Sequence, residues 1–203
     1  YDYGGGGSVA FVPGPRRSRW CRAAYPASFP GSRRCRGLGI KVGLRFTVTE
    51  RNVESLPAML DLMEAEKLDK FYLSHLVYSG RGDRYRDADA HHRTTRAGMD
   101  LLFERCWAHV REGRSTEFVT GNNDADGVYL LRWVERRFPD STAHIRAKLE
   151  AWGGNASGVN VANIDNLGQV HPDTFWWSYD LGNVKDRPFG EIWADVTDPV
   201  MAG

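Results

Sequence analysis

The order of apolar and polar positions becomes regular at about residue 40. Ile40–Thr49 alternates, with Val42, Leu44, Phe46 and Val48 on one face and Lys41, Gly43, Arg45 and Thr47 on the other. That is the period of a strand. Asn52 is placed to cap a helix in which Val53, Leu56, Leu60 and Met63 recur at helical spacing to about Lys67. Pro57 lies close enough to the first turn to be tolerated. Aromatic and branched residues then crowd Lys70–Tyr78 and predict a second strand. Strand, helix, strand within this span is a βαβ unit, so the two strands are expected to run parallel.

Ser79-Gly80-Arg81-Gly82 and the charged run to Arg93 predict a loop. Thr94 or Thr95 caps a helix whose apolar stripe is Met99, Leu102, Phe103, Cys106, Trp107 and Val110, with Gly113 as the stop. Thr116–Thr120 reads as a short strand, Gly121-Asn122-Asn123-Asp124 as a turn, and Ala125–Phe138 as a helix. Ser141 caps another helix, closed by Gly153-Gly154. Gly158–Asp165 and Gln169–His171 flank Asn166-Leu167-Gly168, which is hairpin chemistry. The reading is an α/β fold to about residue 120, a helical connector over 121–154, and a loop-rich β segment over 155–203.

Composition sets the first residues apart. Residues 1–40 hold seven arginines, no lysine and one acid, a net +6, whereas the other 163 carry 20 basic and 25 acidic residues. Glycine and proline are concentrated in the same stretch. Residues 1–32 are therefore expected to be an anomalous, poorly ordered Arg/Gly/Pro-rich segment without a regular strand, since Ser8–Pro13 is short and breaks at proline. The chain starts at Tyr1 and ends at Gly203 in mid-phrase, which suggests a piece of something longer.

The whole-chain charge of +1 excludes a strongly basic nucleic-acid binder as an overall property. The apolar blocks fall far short of the run of about 18 residues that a membrane span needs, so no membrane and no nucleic acid is expected as a partner. Cys21, Cys35 and Cys106 form neither a disulfide framework nor a metal-ligand spacing, and no metal site is expected in the chain. Cys106, on an apolar stripe, reads as a small hydrophobe.

Candidate chemistry is sparse. Ser74-His75 puts two polar residues in a strand that a parallel sheet would bury, where they are costly unless satisfied. His75 reads either as a satisfied core histidine or, in a barrel, as a residue at the strand end where active sites sit. Arg45, in the middle of a strand, either pairs with an acid or binds an anion such as a carboxylate. Asp124 and Asp126 bracket a helix start, where the dipole alone favours an acid. His91-His92 stands in a charged loop without convergent partners. Asn155, Asn160, Asn163, Asp165 and Asn166 near Trp176-Trp177 read as turns, or as a stacking surface for a ligand.

Three stretches carry a resemblance: IKVGLRFTVTERNVESLPAMLDLMEAEKLDKFYLSHLVYSGRG, TEFVTGNNDADGVYLLRWVERRFP, and WGGNASGVNVANIDNLGQVHPDTFWWSYDLGNVKDRPFGEIW. Together they resemble the radical SAM/SPASM proteins of haem d1 biosynthesis, from about residue 33 to the end. The resemblance implies a partial (β/α)6 barrel over 33–120, with Ile40–Thr49 and Lys70–Tyr78 as its fifth and sixth strands, and the start of a SPASM-like extension over 155–203. It implies S-adenosyl-L-methionine and [4Fe–4S] clusters as cofactors of the full-length protein. It also implies an electron donor for the cluster, a cytoplasmic location, and loss of propionate side chains from a sirohaem-derived tetrapyrrole through a 5′-deoxyadenosyl radical. Arg45, Thr47, Ser74 and His75 become candidates for lining the SAM or substrate cavity, and Asn122, Asn123, Asp124, Asn163 and His171 candidates for touching substrate.

The departures are equally specific. The family's CxxxCxxC motif is absent from this sequence, so the chain alone is expected to bind no cluster and to be inactive. Where the family has a fourth strand of the type VGISLDG, this sequence reads YDYGGGGSVAFVPGPRRSRWCRAA, as a frame error in GC-rich DNA would give. Two rivals stand beside this reading. One is another radical SAM/SPASM enzyme, such as a peptide-modifying one, although the phrase FVTGNNDADG favours the haem branch. The other is a non-catalytic anion or nucleic-acid binding module resting on the Arg/Gly-rich segment.

Overall fold

The computed structural model describes residues 8–10, 30–80 and 82–202. It divides into two compact units, Tyr1–Thr142 and Ala143–Gly203.

The first unit is α/β. Its elements are β1 (Ser8–Ala10), α1 (residues 30–37), β2 (Gly43–Thr47), α2 (Leu56–Ala65), β3 (Lys70–Ser74), α3 (His92–Arg111), β4 (Glu117–Gly121) and α4 (Ala125–Arg137). The four strands form one sheet in the order β1-β2-β3-β4, and every pairing is parallel. Thr47, Ser74 and Gly121 stand in register at the C-terminal ends of β2, β3 and β4. The expected βαβ unit is present, and β4 extends the sheet beyond the two strands expected as fifth and sixth.

Alternation decides what the sheet buries. Leu44 and Phe46 of β2, Val42 and Val48 beside it, and Phe71 and Leu73 of β3 are all buried. So are Leu56, Met59, Leu60 and Met63 of α2, and Met99 and Leu102 of α3. Each such side chain contributes about 1.5–3 kcal/mol by leaving water, and together they make the core of this unit.

Four expectations need correction. Ser8–Ala10 pairs in parallel with Gly43–Arg45, so a short strand stands beside β2 where no regular strand was expected. Residues 1–7 and 11–29, on which the rest of that expectation falls, lie outside the described residues. Two arginines that follow residue 32 find acceptors elsewhere in this unit. Arg33 of α1 pairs with the Glu66 carboxylate at 2.7 Å, and Arg36 donates to the Glu66 carbonyl at 2.6 Å.

Asn52 makes no side-chain cap. Its amide instead accepts from the Thr49 N–H and donates to the Thr47 carbonyl, both at 2.8 Å, which closes the exit of β2. A short 3-10 turn, Val53–Ser55, then leads into α2, with Pro57 in the first turn. Helix α3 starts at His92, ahead of both threonines. On its stripe Val110 is 58% exposed and His109 is buried in its place, because Glu64 of α2 bonds the His109 ring at 3.0 Å and turns that position inward.

The second unit is small. It holds α5 from Ala143 onward (the helix runs Thr142–Trp152), β5 (Asn163–Ile164), β6 (Gln169–His171), β7 (Gly182–Asn183) and α6 (Phe189–Trp193). The three strands form an antiparallel sheet in the order β5-β6-β7. The expected hairpin closes because Asp165 accepts the N–H groups of Leu167 and Gln169 at 2.8 and 2.9 Å, while Gly168 takes a φ of 91° that suits glycine. Val170, Leu181 and Ile192 form its core, with Tyr179, Trp193 and Met201 packed against them. Among the described residues no helix is long and apolar enough to cross a membrane.

Candidate functional site

The two-residue period sends alternate side chains of β2 and β3 to opposite faces of the sheet. One face is the apolar core. The other carries Arg45, Thr47, Tyr72 and Ser74, polar residues clustered toward the strand C-terminal ends. The Thr47 and Ser74 hydroxyl oxygens are 2.8 Å apart. The Arg45 Nε–H donates to the Ser74 hydroxyl at 3.4 Å, and its guanidinium lies 4.6 Å from the centre of the Tyr72 ring. Among the described residues no carboxylate pairs with Arg45. Of the two readings open for it, an internal ion pair is therefore excluded within that set, and a guanidinium with neutral neighbours remains. Gly121 completes the patch, since any Cβ there would collide with the Tyr72 hydroxyl.

His75 parts from this group. The residue that follows Ser74 at the end of β3, it is on the opposite side, where its Nε2 meets the Asp126 carboxylate at 2.8 Å. Both side chains are over nine-tenths buried. The His75 N–H donates to the Gly121 carbonyl, and its own carbonyl accepts from the Asn122 amide at 3.4 Å. Asn122 has a φ of 69°, a left-handed conformation that asparagine tolerates. The four cavity candidates thus divide into Arg45, Thr47 and Ser74 together, and His75 apart as a satisfied core histidine.

Asp126 is the partner that sequence reading missed. It does stand in the first turn of α4, where the helix dipole favours an acid, but it is also 6% exposed and bonded to His75. The available signal was its place just after β4, the strand next to His75. Asn123 accepts from the Ala125 N–H at 3.1 Å, and Asp124 precedes α4 without capping it. Asn122, Asn123 and Asp124 therefore shape the β4–α4 turn. Beside that turn a cleft of about 370 Å³ opens between the first halves of α3 and α4, with Thr95, Arg96, Asp126, Tyr129 and Arg132 in its walls.

The remaining substrate candidates, Asn163 and His171, lie in the second unit and face each other across β5 and β6. His171 is 2% exposed, and its ring stacks on Trp177 with centroids 5.8 Å apart. Phe175, Trp176 and Trp177 are all more than 40% exposed.

The cysteines do not fit an iron–sulfur cluster. Cys35 is on α1 and Cys106 on α3, and burial pushes the Cys106 thiol up, away from the thiolate a ligand must be. Cys21 lies outside the described residues. Among those described, no group of three or more His, Cys, Asp or Glu residues is placed to hold a metal.

No family model matches the chain. It is 55% identical over 181 residues to the pre-heme d1 synthase of Dinoroseobacter shibae, covering 88% of this chain and 45% of that protein. It is 39% identical over 185 residues to the Fe-coproporphyrin III synthase of Methanosarcina barkeri, covering 91% of this chain and 46% of that protein. In three dimensions it is similar to Streptococcus suis SuiB, solved bound to the precursor peptide SuiA. The TM-score is 0.63, over 97% of this chain and 43% of that one. At 12% identity that likeness shows the fold alone, which is α/β and part of a radical SAM fold. Over 88% of its residues the chain thus matches one part of a radical SAM protein of haem d1 biosynthesis, the family its sequence resembles, and it spans about half the length of the curated relatives it matches.

Proposed function

We propose that this chain is part of a radical SAM enzyme that matures a haem-type tetrapyrrole, removing propionate side chains from a sirohaem-derived substrate. The observation that carries the reading is the 55% identity to a pre-heme d1 synthase. The open sheet face supports it with a guanidinium, Arg45, that no described carboxylate neutralises.

S-adenosyl-L-methionine, with a reduced [4Fe–4S] cluster, supplies the hydrogen-abstracting radical in this family. The cluster's ligands are not among this chain's described cysteines. The chain's own contribution is binding and orientation. Arg45 presents its planar fork to a carboxylate, either that of the methionine moiety or a propionate of the tetrapyrrole. Stacking on Tyr72 and the bond to Ser74 hold the fork in place, which lowers the ordering cost of binding. Ser74 is fully buried and its hydroxyl also reaches the Phe46 carbonyl at 3.5 Å, so it acts by orienting Arg45 and Thr47, and Thr47 is the hydroxyl of the pair that can meet substrate. Asn122, Asn123 and Asp124 stand at the same rim of the sheet as further substrate contacts. His75 acts at one remove, since Asp126 and Gly121 fix the end of β3 that carries Ser74.

On this reading residues 33–120 belong to the barrel, 121–154 connect, and 155–203 begin a SPASM-like extension. The protein works in the cytoplasm with a separate electron donor, and the 203-residue chain alone is inactive. A peptide-modifying role draws support only from the likeness to SuiB, which is one of fold.

The test is anaerobic equilibrium titration of the longer protein with S-adenosyl-L-methionine and, separately, with an iron tetrapyrrole bearing propionates. Arg45→Gln is expected to weaken one of the two about tenfold to a hundredfold, as loss of a charge-assisted contact does. Unchanged affinity for both would remove Arg45 from the site.

A further inference from the structure

Tyr72 stands in register between Arg45 of β2 and Val119 of β4, yet its hydroxyl does not stay in that rank. The oxygen reaches Gly121, two residues further along β4, where any Cβ would collide with it and would lie 2.8 Å from the ring Cζ. Two residues of strand rise about 6.6 Å, so the tyrosine is laid along the sheet toward its C-terminal edge. Its hydroxyl thus arrives in the rank of Thr47 and Ser74, which are paired across β2 and β3.

Gly121 is what lets it arrive. The φ of Gly121 is not left-handed, so its backbone alone does not call for glycine. Space does, and the atom nearest the missing Cβ is the Tyr72 oxygen. A phenylalanine would give the Arg45 guanidinium the same ring, 4.6 Å from its centre, without that closest contact. What tyrosine adds is a donor. Among the described residues nothing bonds this hydroxyl, and it is not shut away from solvent.

Arg45 is equally unspent. Its Nε–H goes to the Ser74 hydroxyl at 3.4 Å, which leaves the two terminal nitrogens of the fork without an acceptor among the described residues. The guanidinium over the ring and the hydroxyl at the end of the ring are neighbours on one open face of the sheet. Adjacent donors with a positive charge and no acceptor of their own are complementary to a group that only accepts and carries negative charge. A carboxylate is such a group.

We propose that the Tyr72 hydroxyl and the Arg45 fork together bind one carboxylate, with Gly121 as the positioning residue that makes room for the hydroxyl. This rests on the chain being part of a radical SAM enzyme of tetrapyrrole maturation, where the carboxylate is that of the methionine moiety or a propionate. Tyr72 then contributes discrimination. A neutral isostere such as an amide turns an N–H toward one of the two donors and leaves it unpaired.

The experiment is anaerobic equilibrium titration of the longer protein with two ligand pairs. One pair is S-adenosyl-L-methionine and its decarboxylated form; the other is an iron porphyrin with free propionates and the same porphyrin with propionamides. Tyr72→Phe should weaken one of the carboxylate ligands about tenfold to a hundredfold, as loss of a hydrogen bond to a charged group does, and leave its carboxylate-free counterpart unchanged. The pair that responds identifies the source of the carboxylate. Gly121→Ala should weaken the same ligand, and by less in a Tyr72→Phe background, because the two changes act through one hydroxyl. Equal losses for a ligand and its carboxylate-free counterpart would mark Tyr72 as structural and overturn the proposal, as would binding that Tyr72→Phe leaves unchanged throughout. If Arg45→Gln weakens a carboxylate ligand and Tyr72→Phe does not, this inference alone falls; if neither does, Arg45 leaves the site as well.

Discussion

His75 and Asp126 show how much one buried pair decides at the residue scale. With Asp126 removed, the His75 Nε2 keeps its burial and loses its partner, and an unsatisfied buried polar group costs about 1–3 kcal/mol. Asp126→Ala is therefore expected to lower the urea midpoint by that amount of stability, with Asp126→Asn, which keeps an acceptor, falling less. Equal losses from the two variants would mean that the bond at 2.8 Å is not what the pair contributes. At the other end of the chain, the Asp195 carboxyl is pushed down from 3.8 to about 2, first by the Thr197 hydroxyl and then by the Arg187 guanidinium and the Thr197 amide. A depressed carboxyl gives stability that is fully present above its unfolded value and lost as pH falls through the folded one. The turn after α6 is thus expected to loosen between pH 3.8 and about 2, visible as a change in Trp193 fluorescence. Asp195→Asn should abolish that acid limb. The carboxyl is half-buried on a surface turn and partly screened by water, so the effect belongs to the turn and not to global stability.

Among the elements, β2 and α2 were the most legible in the sequence. Val42, Leu44, Phe46 and Val48 alternate without interruption, and all four are buried. Leu56, Leu60 and Met63 keep helical spacing, and all three are buried. Period alone could not say which edge of a stripe meets a neighbour. On α3 Val110 faces water and His109 is buried, because the choice was made by Glu64, 45 residues away. The same limit hid the candidate site. Alternation separates Ser74 from His75, but nothing local reveals that Asp126 waits 51 residues on. Leu60 gives a check on the element itself. It is 0% exposed in the centre of α2, so Leu60→Ala is expected to cost about 2–5 kcal/mol in chemical denaturation. A loss well below 1 kcal/mol would mean that α2 is not packed on the sheet as described.

At the scale of the molecule, the sheet begins at β1, three residues long, and ends at β4, each paired on one side among the described residues. Unpaired strand edges invite association with other chains, and large apolar residues such as Leu38, Val128 and Trp152 are more than half exposed. The 203-residue chain purified alone is expected to aggregate or melt without a sharp transition, whereas a cooperative melt of a monomer would show that these units need nothing more. Reconstituted anaerobically with iron and sulfide, the same chain is expected to gain no [4Fe–4S] absorbance. Binding of about four irons per chain would show that its cysteines converge after all.

The central claim is that this chain supplies part of the substrate or SAM cavity of a haem-maturing radical SAM enzyme, with Arg45 as its anion contact. It is tested most directly by anaerobic turnover of the longer protein with S-adenosyl-L-methionine, a low-potential reductant and a sirohaem-derived tetrapyrrole. Formation of 5′-deoxyadenosine together with loss of propionate mass from the tetrapyrrole is expected. Arg45→Gln is expected to lower kcat/KM about tenfold or more, the weight of one charge-assisted contact. Turnover without any change in the tetrapyrrole, or equal kcat/KM with and without the Arg45 guanidinium, would contradict the account.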